Sequence, residues 1–98
     1  MISQGDILRI EGIQVPCLVV SRELFNTSEM LMICPIIDEG TESALHIPLP
    51  GVQLTGFVWV EQLRSVDISA RGYSRIKHLD YRDCIQIMDV VKNIFEYV

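Results

Sequence analysis

The hydrophobic period of this chain changes at Tyr81, and that change limits the folds open to it. From there apolar residues fall at 84, 87, 88, 91, 94, 95 and 98, the i, i+3, i+4, i+7 spacing that lays one apolar stripe along a helix. Asp80 stands where an N-cap is needed, and Asp83 puts a second carboxylate into the first turn, where the helix dipole favours it. The residues before Tyr81 read instead as short strands. Ile7–Ile10 passes through Gly12 into Val15–Val20, a β-branched run suited to a strand buried on both faces. Asn26-Thr27-Ser28 reads as a turn, Met30–Ile37 as a third strand, and Asp38-Glu39-Gly40-Thr41-Glu42 as an exposed loop. Ala44–Pro50 alternates with period two, but its two prolines confine it to an edge or a strand end. Gly56–Val60 is a fifth strand and Ser65–Ile68 a short sixth. Strands followed by one closing helix imply an α+β, mainly β arrangement: a strongly curved antiparallel sheet with the amphipathic helix packed on it.

Ninety-eight residues predict a single domain, 1–98, and 49% apolar content with a net charge of −5 excludes disorder. No apolar run approaches the roughly 20 residues of a membrane span. The first residues lack a basic segment followed by a long apolar one, so the expected location is the cytoplasm. Cys17, Cys34 and Cys84 are widely spaced among apolar neighbours, which predicts buried thiols and neither a disulfide framework nor a zinc site. Residues 1–61 carry −6, whereas 62–82 hold Arg64, Arg71, Arg75, Lys77 and Arg82 against Asp67 and Asp80, a balance of +3. A cationic cluster of this kind binds phosphate or forms a solvated loop.

Several segments then occur in an ordered series: Gly5-Asp6-Ile7-Leu8, Val15-Pro16-Cys17-Leu18-Val19-Val20-Ser21, Ile33-Cys34-Pro35-Ile36, His46-Ile47-Pro48-Leu49-Pro50, Gly56–Asp67, and Ala70-Arg71-Gly72 before the helix. In that order, over nearly the whole chain, they resemble the MazF/PemK (Kid) toxins of bacterial toxin–antitoxin systems. The resemblance implies a small SH3-like, CcdB/PemK-like barrel of about five to six antiparallel strands closed by the C-terminal helix. It also implies a homodimer and a cognate antitoxin whose flexible segment fills a groove on that dimer. Active members are metal-independent, cofactor-free endoribonucleases that cut single-stranded mRNA at short sequences. In such cleavage the RNA 2′-hydroxyl attacks phosphorus, and the protein supplies a base, an acid and stabilisation of the charged phosphorane.

Carried over residue by residue, the resemblance also marks losses. Where the family has Arg-Pro before the second strand, this chain has Val15-Pro16. Where hydroxyls follow the third strand, it has Pro35-Ile36-Ile37-Asp38, and Trp59 stands where Kid-like members carry an Arg two residues ahead of the catalytic acid. That acid is retained as Glu61.

The catalytic candidates are therefore Glu61 as base, Arg64 as stabilising cation, with Arg71 as the other candidate for that role, and Asp38, which would repel a phosphate unless protonated or acting as a base. Arg64 also reads as the structural partner of Asp67. The RNA-binding candidates are Arg71, Arg75, Trp59 and His46, each with a plainer reading: solvated loop cations, core or dimer packing for Trp59, and a lone surface imidazole for His46, with His78 similar. Two functions follow. One is a growth-inhibiting mRNA endoribonuclease. The other is a catalytically degenerate module of the same fold that engages an antitoxin, DNA or another protein, as gyrase-binding CcdB toxins do, although Phe95-Glu96-Tyr97-Val98 does not reproduce their Trp-Gly-Ile ending.

Overall fold

A computed structural model describes residues 1–49 and 54–95. Its elements are β1 (Asp6–Ile10), β2 (Cys17–Val19), a one-turn helix α1 (Glu23–Asn26), β3 (Met30–Ile37), β4 (His46–Pro48), β5 (Phe57–Trp59), a 3-10 turn (Val60–Gln62), β6 (Arg64–Asp67), β7 (Tyr73–His78) and α2 (Tyr81–Ile94). The strands are antiparallel and run in the spatial order β4-β5-β3-β2-β1-β7, with β6 also paired to β3. Among the described residues β4 and β7 end this path without pairing to each other, so the sheet is not closed.

β3 organises the sheet because it is long and apolar throughout. On one edge Ile33–Pro35 pair with β2, and the ladder is extended by Val20 N–H to Met32 O and Ile36 N–H to Pro16 O, both 2.9 Å. On the other edge β5 pairs with Ile36 and Ile37 and β6 with Met30–Ile33, so the chain runs down a single strand in two instalments. The 3-10 turn is the excursion between them.

Alternation along β1, β2 and β3 sends side chains to two apolar clusters. Ile7, Leu18 and Cys34 face one with Val58, Val60 and Ile87, while Leu8, Val19 and Ile33 face the other with Leu31 and Val66. Both faces of β2 and β3 are thus buried, which is why those two strands read as unbroken apolar runs. α2 lies on the first cluster: Ile87 is 1% exposed, with Cys84, Met88 and Val91 packed beside it. Burying one such side chain stabilises the docked helix by roughly 1.5–3 kcal/mol. Asp80 Oδ1 accepts the amide of Asp83 at 2.9 Å, as the expected N-cap does.

Three details depart from the sequence reading. Among the described residues there are seven strands, because residues 73–78, read there as part of a solvated basic stretch, pair with β1. Asn26, read as the start of a turn, instead ends α1 and is buried, with Nδ2 donating to the carbonyls of Ile2 and Ser21 and the Ser21 hydroxyl donating to its Oδ1, and the turn begins at Thr27. The fifth strand stops at Trp59, where Val60 begins the 3-10 turn and its amide turns to Leu45 O at 2.9 Å. Pro50 and Val98, included in the expected fourth strand and helical stripe, lie outside the described residues.

Candidate active site

The β4–β5 pair places His46 directly opposite Trp59, with Ile47 opposite Val58 and Pro48 opposite Phe57. Period two sends Ile47 toward the core cluster and His46 to the other face, where its ring stacks on the Trp59 indole at a centroid separation of 4.2 Å and 13° between planes. Such cross-strand aromatic contacts stabilise a pair by about 0.5–1 kcal/mol. Leaving the strand at Trp59, the 3-10 turn carries Glu61 back toward the same ring. Glu61 Oε1 lies 2.6 Å from His46 Nε2, and the two side chains retain 35% and 22% of their surface in solvent.

Backbone bonds hold this arrangement. The Ser43 hydroxyl accepts the amides of His46 (3.1 Å) and Leu45 (3.3 Å), and the Ser43 amide donates to His46 O. The loop after β3 passes over the ring pair at Gly40, whose φ of +77° suits glycine and whose absent Cβ would sit 3.9 Å from both His46 Nδ1 and Trp59 Cζ2. Trp59 Nε1 is buried with no hydrogen-bond partner among the described residues. Chemically the site offers a solvent-accessible carboxylate with one oxygen engaged by an imidazole whose orientation is set by stacking. Glu61 also acts on the core: burial pushes the Cys34 thiol up to about 12, and the carboxylate's charge adds to that rise.

The other residues singled out from sequence are dispersed. Asp38 is exposed just past β3, and its side chain has no ion pair or hydrogen bond among the described residues. Arg64 opens β6 opposite Ile33, and its expected pairing with Asp67 is absent: Asp67 Oδ1 accepts the hydroxyl (2.6 Å) and amide (2.9 Å) of Ser69, which hold that carboxyl below its ordinary range. Arg71 follows β6 and donates to Glu11 O at 3.3 Å, while Arg75 sits within β7, its Nη2 donating to Asp6 Oδ2 at 2.9 Å and to Met1 O at 2.8 Å. Arg71 and Arg75 therefore flank the β7 end of the strand path, and His46 and Trp59 the β4–β5 end.

Sequence reasoning missed two linkages. Glu61 and His46 enter it as separate candidates, 15 residues apart, and only the β4–β5 register joins them. The second is the group around Asp6, which is 2% exposed and accepts from Ser3 N, His78 Nδ1 (2.7 Å) and Arg75. Burial alone would raise the Asp6 pKa, but the Ser3 amide, His78 and Arg75 outweigh it and hold the carboxyl below its ordinary 3.8. Among the described residues no three or more His, Cys, Asp or Glu side chains are grouped to hold a metal ion, and no helix is long and apolar enough to cross a membrane.

The described residues form a seven-stranded antiparallel sheet with one C-terminal helix packed on it. Structural comparison finds it in MazE–MazF from Deinococcus radiodurans (TM-score 0.85, 17% identity, 99% of this chain and 97% of that one). MazF alone from that organism matches at TM-score 0.81 and 15% identity, over 95% of this chain and 94% of the other. An endoribonuclease in complex with its cognate antitoxin from a mycobacterial species matches at TM-score 0.83 and 13% identity over 100% of both chains. At these identities the likeness concerns the fold. A search of curated proteins returns no significant match. Residues 9–95 match the family described as PemK-like, MazF-like toxin of type II toxin-antitoxin system, and the chain belongs to that family.

Proposed function

We propose that this toxin-family protein is a metal-independent endoribonuclease acting on single-stranded mRNA, and that Glu61 and His46 perform the chemistry as a unit. The observation that carries this reading is the 2.6 Å contact between two solvent-accessible groups of complementary proton chemistry. Glu61 Oε2, the oxygen not engaged by His46, takes the proton of the RNA 2′-hydroxyl as that oxygen attacks phosphorus. The bond to the 5′-oxygen breaks, leaving a 2′,3′-cyclic phosphate and a 5′-hydroxyl end, the latter protonated from solvent. His46 in its protonated form supplies positive charge against the phosphorane, at a site where Trp59 stands in place of the family's Arg. Trp59 orients that imidazole. The remaining partners of this reading are a second copy of the chain, a cognate antitoxin as in the MazE–MazF and mycobacterial complexes, and a cytoplasmic setting.

A second reading, a toxin-fold module that binds an antitoxin, DNA or another protein without cutting RNA, is favoured by one observation. The cations Arg71 and Arg75 are tied to Glu11, Asp6 and Met1 at the other end of the strand path, while Asp38, Glu39 and Glu42 crowd the loop beside His46. Incubating purified protein with single-stranded RNA in the presence of a chelator separates the two. Cleavage to cyclic-phosphate ends supports the nuclease, and intact RNA supports the binding module.

A further inference from the structure

The group around Asp6, at the β1–β7 end of the strand path, takes no part in the proposed chemistry, yet one of its members opens onto a cavity. Asp6 Oδ1 lies 2.7 Å from His78 Nδ1; the carboxyl is 2% exposed, whereas the imidazole keeps 53% of its surface in solvent. The Ser3 amide, His78 and Arg75 hold the Asp6 carboxyl below its ordinary range, so the carboxylate accepts and Nδ1 is the ring nitrogen that carries hydrogen. Nε2 of the neutral ring then keeps its lone pair. A buried acid that fixes the tautomer of an exposed imidazole prepares that imidazole to take a proton.

A thiol lies beside the same ring. Cys84 stands at the start of α2, its amide donating to Asp80 O at 3.0 Å. The two side chains converge over Gly5, where the position of the absent Cβ is 3.2 Å from Cys84 Sγ and 3.4 Å from His78 Cε1. Cε1 is bonded to both ring nitrogens, so Nε2 is one bond away from that meeting point. His78 and Cys84 also line one cavity of about 580 Å³, a size that holds a small ligand. Arg22 on its wall suits a carboxylate, and Asp80 and Asp89 suit an ammonium, the charged groups that a small peptide carries. Cys17 and Cys34 are fully buried in the sheet, whereas Cys84 is half-buried. Burial raises the Cys84 thiol, so its attack on another sulfur needs a base to take the proton.

We propose that Cys84, His78 and Asp6 form a thiol-modification site, at which Cys84 exchanges with a low-molecular-weight peptide disulfide of the glutathione disulfide class. His78 Nε2 takes the proton of the Cys84 thiol as Sγ attacks one sulfur of the disulfide. A new S–S bond forms at Cys84, the original S–S bond breaks, and the departing thiolate takes the proton from His78. Cys84 is oxidised to the mixed disulfide, and the released half of the reagent is reduced to its thiol. Asp6 acts through His78 as a positioning residue, holding the ring by Nδ1.

The full chain is incubated with excess glutathione disulfide at pH 7, and modification is read at each cysteine by mass spectrometry. One glutathionyl group is expected at Cys84, removed again by excess reduced thiol, with Cys17 and Cys34 untouched. His78→Gln is expected to slow the addition about 10²-fold, the lower end of what a positioned base contributes, with its melting temperature measured alongside. Should that variant fail to fold, wild-type exchange in deuterium oxide decides the same point. Attack assisted by a base slows there, because the proton moves in the transition state, whereas attack by a thiolate formed beforehand does not slow. The proposal is overturned by no addition at Cys84, by addition there only together with Cys17 and Cys34, by an unchanged rate in folded His78→Gln, or by unslowed exchange in deuterium oxide. None of these outcomes depends on whether the protein cuts RNA.

Discussion

His46 Nε2 lies 2.6 Å from Glu61 Oε1 although the residues belong to different elements, because the β4–β5 register and a one-turn 3-10 helix converge on one side of the sheet. The indole of Trp59 is the third member, stacked on the imidazole with the ring centroids 4.2 Å apart. Trp59→Ala should therefore act on both stability and activity. The half-buried ring's loss is expected to cost about 2 kcal/mol, below the range for a fully buried aromatic. RNA cleavage should fall further than stability accounts for, because His46 loses its support. Trp59→Phe, which keeps a flat face, should retain most of the activity; denaturant midpoints and cleavage rates on the same preparations check both.

Asp6 ties the start of the chain to β7 through Ser3, His78 and Arg75. Replacing it with Ala removes the acceptor shared by the Ser3 amide and the half-exposed His78 and Arg75 side chains and is expected to destabilise by about 1–2 kcal/mol. Its folded pKa is depressed below 3.8, so the stabilisation is fully present above the unfolded value and is lost as pH falls below about 4 toward the folded one. Wild type should thus lose stability in that acid window, and Asp6→Ala should show a flatter profile there. Chemical denaturation of both proteins between pH 3 and 7 measures the difference.

The elements legible from sequence are those whose burial has a period. Met30–Ile37 is buried on both faces and stands out as an apolar run, and α2 carries one stripe centred on Ile87 with its cap at Asp80. β7 carries no such signal, because Tyr73-Ser74-Arg75-Ile76-Lys77-His78 leaves no side buried and reads as a basic loop. The site was half legible. Glu61 is marked by resemblance and His46 by alternation, but no local pattern says that they touch. The expected Arg64–Asp67 pair failed because Ser69, two residues after Asp67, offers that carboxylate nearer donors.

Gly56 governs the entry to β5. At φ +111° its absent Cβ would come within 2.6 Å of Ile37 O and 2.9 Å of Asp38 Cα, both backbone atoms. Gly56→Ala forces β3 and β5 apart beside the site, with an expected loss of about 2 kcal/mol or more. A lowered melting temperature accompanied by reduced Trp59 fluorescence shielding checks this, and an unchanged melting temperature contradicts the packing described.

The three thiols should differ in reactivity. Burial raises Cys17 to about 11 and Cys34 to about 12, so neither forms appreciable thiolate near neutral pH. Cys84 is raised as well but is only half-buried at the edge of α2. Brief alkylation of the native protein at pH 8 followed by mass spectrometry should find Cys84 modified first, and all three labelled together only after unfolding.

The nuclease reading depends on the Glu61 carboxylate, and the most direct measurement is the rate of single-stranded RNA cleavage by wild type and Glu61→Gln in the presence of a chelator. Gln is nearly isosteric and can still hydrogen-bond His46, so the fold is preserved while the base is removed. The account predicts cleavage by wild type to 2′,3′-cyclic phosphate ends and a loss of about 10²-fold or more in the variant. Equal rates for the two proteins, or no cleavage by wild type, would contradict it.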